Sequence, residues 1–231
     1  MIDPYGHHIG IGAAVNGDTI YNGALDNALG IGIMLEAARS VSLLSTKPKR
    51  SVLFIAVTGE EKGLLGADYF AKNPTVPKNS LVANINMDTP VILTELLDVV
   101  TIGVDHSSLQ KQVEQAATDI GFLLSPDPAP DQVVFVRSDQ FAFIRQGIPA
   151  VFLDGGVVAK DPNIMGKDLL EKFLKTHYHQ PSDDLKQPIH YATAAKMAAL
   201  NARIGQLVAD DPYRPRWNLG DFFGQKYAGQ P

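Results

Sequence analysis

Apolar residues run almost without interruption from Val52 to Val57, and the run is followed at once by two adjacent carboxylates, Glu60 and Glu61. A short continuous run of this kind predicts a strand covered on both faces inside an α/β sheet. Ligands of such sheets gather beyond the carboxyl ends of the strands, which is where the two glutamates fall. A second strand is predicted over Leu81 to Met87, and it too ends on an acid, Asp88, before Thr89-Pro90. Asp98 to Val104 and Pro149 to Leu153 predict two further strands.

Helical spacing takes over between these runs. Ala28, Ile31, Met34, Leu35 and Ala38 predict a helix from about Asn27 to Leu44, which places Asp26 at its mouth. A short helix is expected over Leu64 to Lys72, ended by Asn73-Pro74. Another begins near Ser107, with Leu109, Val113, Ala116, Ala117 and Ile120 on one face. Ser138 is expected to cap a short helix through Arg145. The last strong helix runs from Tyr191 to Val208. Leu124 to Asp131 is too rich in proline for either element, and Asp154 to Pro188 is irregular except for a helical patch around Leu169 to Leu174. From Asp210 onward the chain reads as a surface extension, so the division is 1–209 as one domain and 210–231 as a tail.

Composition narrows the chemistry. With 231 residues, 45% of them hydrophobic and 19% charged, the chain suits one α/β domain with a sizeable core. A net charge of -5 without a Lys/Arg cluster argues against nucleic acid or an anionic membrane as the main partner. There is no cysteine, so any metal must be held by histidine and carboxylates. Each candidate ligand also has a plainer reading. Asp26 suits a helix N-cap, Glu60 and Glu61 the first turn of a helix, Asp88 an Asp-Thr-Pro turn, and His179 a loop histidine bonded to Ser182 or Asp183.

Four motifs in order change that balance. Asn22-Gly-Ala-Leu-Asp-Asn-Ala-Leu-Gly30, Thr58-Gly-Glu-Glu-Lys-Gly-Leu-Leu-Gly66, Asn84-Ile-Asn-Met-Asp88 and Tyr178-His-Gln-Pro-Ser-Asp183 together resemble the zinc-dependent aminopeptidases of peptidase family M28. Arg137-Ser-Asp-Gln-Phe-Ala-Phe-Ile-Arg-Gln-Gly-Ile-Pro149 extends the resemblance, which spans roughly residues 7 to 208. It implies a three-layer α/β/α sandwich around a mixed, mostly parallel sheet. It also implies that Asp26 bridges two zinc ions through a cis Asp26–Asn27 peptide, that Glu61 and His179 complete one ion, and that Asp88 and an N-terminal histidine complete the other. Glu60 is the implied proton carrier of a peptide-hydrolysing exopeptidase, and Asp183 or Asp184 the partner that orients the imidazole. Members are mostly exported, which favours a secreted or periplasmic protein by resemblance alone.

The departures matter equally. The family's first motif reads His-x-Asp-His-x-Gly, whereas Tyr5-Gly-His-His-Ile-Gly10 has Tyr5 in the ligand position, leaving His7 or His8 to replace it or one zinc to be lost. Gln140 stands where many relatives carry histidine. The family's strands before this motif have no counterpart here, so the chain is expected to be the C-terminal portion of a longer catalytic domain, with an exposed sheet edge as a route to self-association. Two other readings remain open: a non-catalytic remnant kept as a binding domain, and a single-zinc acyltransferase that cyclises N-terminal glutamine.

Overall fold

Side chains alternate across a strand. In the computed structural model, which describes residues 14–229, Val99, Val151 and Leu153 therefore enter one hydrophobic cluster while Ile102 and Ala150 enter another. Four strands build that sheet: β1 (Asn84–Met87), β2 (Asp98–Ile102), β3 (Leu123–Ser125) and β4 (Ala150–Gly155), in the order β1-β4-β2-β3. β1 pairs parallel with β4 and β2 parallel with β3, while β2 and β4 run antiparallel. The sheet is thus mixed and mostly parallel, as expected.

Helices cover both faces. α1 (Gly30–Ser42), α3 (Leu109–Ile120) and α6 (Tyr191–Asp210) bury Ile33, Val113, Met197, Leu200 and Ile204 against the first face. Met197, Leu200 and Ile204 are at most 1% exposed, and each such burial is worth about 1.5–3 kcal/mol. On the other side α2 (Leu65–Lys72) packs Ala67 and Ala71 on Ala142 and Phe143 of α4 (Gln140–Ile144). α5 (Gly166–Thr176) extends the helical patch expected near Leu169, and its Phe173 packs with Leu25 and Val91 in a separate core cluster.

Three expectations need correction. Val52 to Val57 is not a strand of the sheet: residues 51–57 make no backbone–backbone hydrogen bond among the described residues, and Leu53 is 45% exposed. The reason is spacing. A cavity of about 240 Å³ lies along Val52 to Val57 and Leu81 to Met87, so the apolar run faces β1 without laddering to it. Periodicity reports side-chain burial, whereas a ladder needs a neighbour at about 4.7–4.9 Å. Ser138 does not cap α4, whose start has no side-chain cap, because its hydroxyl is engaged elsewhere. Leu123–Ser125 is a strand at the edge of the proline-rich loop, since only its first residues fall before the prolines.

The C-terminal stretch also carries structure that its composition did not predict. α7 (Phe222–Ala228) is capped by Asp221, whose Oδ1 accepts the Phe223 and Gly224 N–H groups. Trp217 is 4% exposed and donates from Nε1 to the Gly147 carbonyl.

Candidate metal centre

Asp26 is delivered by a tight irregular turn, Ala24–Leu29, that precedes α1. Gly23 opens the turn at φ +62, and a Cβ there would lie 2.4 Å from the Asp26 carbonyl oxygen, so only glycine fits. Asp183, 2% exposed, accepts the Leu25 and Asp26 N–H groups on its two oxygens at 2.9 and 3.0 Å. It therefore fixes the backbone beneath Asp26. Asp184 caps Lys186 N–H instead. Asn27 Nδ2 donates to the Met87 carbonyl at 3.0 Å, which ties the turn to the end of β1. The Asp26–Asn27 peptide is cis, as the resemblance implies.

Glu60 and Glu61 occupy a single turn, Glu60–Lys62, held between Gly59 and Gly63, both in the left-handed region. His179 follows α5 with φ +56, a conformation that costs a non-glycine residue about 1–3 kcal/mol and collects at functional sites. Its ring stacks on Tyr178 at 3.7 Å between centroids. His179 Nε2 then lies 3.1 Å from Asp26 Oδ2 and 2.9 Å from Glu61 Oε1. Ligand atoms from Asp26, Glu61 and His179 all fall within 4.8 Å of one another, so three residues far apart in sequence converge.

The donor set fits zinc. Two carboxylates and an imidazole are ordinary zinc ligands, and an ion about 2.0–2.2 Å from each needs donors roughly 3.3–3.6 Å apart. The two observed contacts are a few tenths of an ångström shorter, as hydrogen-bonded donors are. Bonds to Asp26 and Glu61 push His179 up to about 9.

Asp88 lies outside this triad, at the end of β1. Burial, and next the charge of Asp26, raise its carboxyl. Glu60 is pushed up to about 8, first by burial and then by Asp88 and Glu61. Asp139, which the sequence did not single out, is raised to about 7 by burial and Asp88, and its Oδ1 is buried without a hydrogen-bond partner. Gln140 is fully buried and bonds inward, so it is not a substrate contact. Tyr5, His7 and His8 lie outside the described residues.

These shifts set a pH signature for metal-free protein. Glu60, Asp139 and His179 all have folded-state pKa values above their ordinary ones of 4.5, 3.8 and 6.5. The folded state therefore binds more protons than the unfolded one between those limits, and stability falls as pH rises. The carboxyl contributions disappear from roughly pH 4 to 8, and that of His179 from 6.5 to 9. Melting curves of chelator-treated protein at pH 5 and pH 9 check this: a lower Tm at pH 9 is expected, and an equal or higher one contradicts it.

A family model described as peptidase family M28 matches residues 6–204. The chain belongs to that family. A probable zinc metalloprotease of Pyrenophora tritici-repentis (strain Pt-1C-BFP) is 42% identical over 66 residues, which are 29% of this chain and 15% of that protein. Among solved structures, an aminopeptidase from Aneurinibacillus sp. strain AM-1 superposes with TM-score 0.58 at 23% identity, over 85% of this chain and 44% of that one. A glutaminyl cyclase of Porphyromonas gingivalis superposes with TM-score 0.52 at 18% identity, over 84% and 66%. At those identities the likeness is one of fold. The chain spans less than half of the metalloprotease and of the aminopeptidase it matches. No helix among the described residues is long and apolar enough to cross a membrane.

Proposed function

We propose that this M28 chain carries the zinc site of a metallo-aminopeptidase, an exopeptidase that removes N-terminal residues from peptides. The observation that carries the reading is the convergence of Asp26, Glu61 and His179 with Glu60 in the same turn as Glu61. In it Asp26, Glu61 and His179 would hold zinc, Asp26 and Asp88 would contribute to holding a second ion, and Glu60 is the catalytic base. Bound zinc supplies Lewis acidity toward a scissile carbonyl and makes water nucleophilic at neutral pH. Glu60 accepts the proton of the attacking water and returns it to the leaving amine, a role that suits a carboxyl pushed up to about 8 by burial and then by its acidic neighbours. Tyr178 beside His179 restricts the ring's motion, and Asp183 keeps Asp26 aimed at the ion.

A second reading, single-zinc cyclisation of N-terminal glutamine, draws on one observation: the triad among the described residues is complete without Asp88. Zinc-loaded protein assayed against aminoacyl anilides and against a glutaminyl peptide separates the two. Release of the aniline supports the aminopeptidase; cyclisation without hydrolysis supports the acyltransferase. Bound zinc with neither activity favours a chain kept for binding.

A further inference from the structure

Asn84, Asn86 and Asp88 alternate onto one face of the β1 strand and its exit. From Asn86 a hydrogen-bond relay leads to the Asp88 carboxylate. Gln140 Nε2 donates to the Val134 and Phe135 carbonyls at 2.9 and 3.1 Å, in a position with no solvent exposure. A carbonyl can only accept, so the main chain dictates which end of the Gln140 amide faces it. The Gln140 Oε1 is left to accept from Asn86 Nδ2 at 2.8 Å, and the same Asn86 amide donates to Ser138 Oγ at 3.1 Å. Ser138, 5% exposed, has one proton, and with its oxygen already accepting it spends that proton on Asp88 Oδ2 at 2.8 Å. Donation therefore fans out from the Asn86 amide nitrogen, through Gln140 to two backbone carbonyls and through Ser138 to one oxygen of Asp88. Among the described residues the other oxygen meets only Thr89 Oγ1 at 3.5 Å, too long to compete with a metal.

We propose that Gln140, Asn86 and Ser138 are positioning residues that tie up Asp88 Oδ2 and present Oδ1 as a single-oxygen ligand for a divalent cation. The proposal rests on the reading of Asp88 as a zinc ligand. Charge-assisted bonds of this kind are short and strong, and they fix both the rotamer and the denticity of a carboxylate. A freely rotating Asp88 could chelate with both oxygens and fill a coordination position that substrate needs.

The test is a titration of metal-free protein with Co2+, read by its visible absorption, and with Zn2+ against a chromophoric chelator. Asp88→Asn identifies the ion that depends on Asp88. Ser138→Ala is expected to weaken that ion by about 10–100-fold, the range for loss of an outer partner, and to leave the His179-dependent ion unchanged. Ser138→Thr, which keeps the hydroxyl, restores it; Gln140→Met, which fills the space without donating, weakens it like Ser138→Ala. Retention of the His179-dependent ion reports that each variant folds. An Asp88-dependent ion indifferent to Ser138→Ala overturns the inference alone. A wild type with no Asp88-dependent ion overturns it together with the reading of Asp88, while leaving the Asp26–Glu61–His179 site standing.

Discussion

His179→Asn is expected to abolish zinc binding at the triad while the chain stays folded. Asparagine is the substitution of choice because it tolerates the left-handed backbone that His179 adopts at φ +56, so the loss is one of ligand rather than of loop geometry. The amide has no imidazole lone pair to offer zinc beside Asp26 and Glu61, and the two remaining carboxylates make a poor zinc site. Affinity is expected to drop by well over the roughly 100-fold typical of losing an outer partner. The metal-free variant also loses the cationic ring that now bonds both acids at 3.1 and 2.9 Å. Its Tm is therefore expected to fall modestly below that of metal-free wild type at pH 7. Competition with a zinc-binding dye measures the first effect and thermal melting the second.

Glu60→Gln is expected to separate binding from chemistry. Glutamine keeps the size of the side chain but cannot accept a proton, so turnover of an aminoacyl anilide drops by about 10²–10⁴ while zinc content is unchanged. The same substitution should stabilise the metal-free protein. Glu60 sits among Asp88, Glu61, Asp139 and Asp26, and its folded pKa of about 8 means that near neutral pH folding forces it to take up a proton that the unfolded chain lacks. Removing the titrating group removes that cost. A variant that melts higher yet turns over less is the pattern expected of an active-site acid held against its own preference. Equal turnover in the two proteins would remove Glu60 from the mechanism.

Much of this architecture is legible in the chain, and the part that is not has specific causes. The apolar positions Met197, Ala198, Ile204 and Leu207 give α6, on which Ala195, expected on the same face, is exposed, and the run Pro149 to Leu153 gives β4, because local pattern and tertiary burial agree there. Val52 to Val57 has an equally strong pattern without a ladder, since pairing depends on where another backbone lies and not on the run itself. The ligands were individually ambiguous. Asp26, Glu61 and His179 became a set only through the order of four motifs, and the distances at His179 then assembled them in space. Ser138 was legible as a small polar residue before a helix, but its bond to Asp88 instead of the helix start depends on long-range packing against β1. Asn86 did carry a signal: with Asn84 it alternates with apolar residues along the strand and shares the face of Asp88.

The most direct measurement is zinc per chain by elemental analysis, made on wild type and His179→Asn after zinc exposure and removal of loosely held metal. At least one zinc in wild type and loss of that ion in the variant is the result predicted by convergence of Asp26, Glu61 and His179. Wild type that retains no zinc, or a variant that retains as much as wild type, contradicts it.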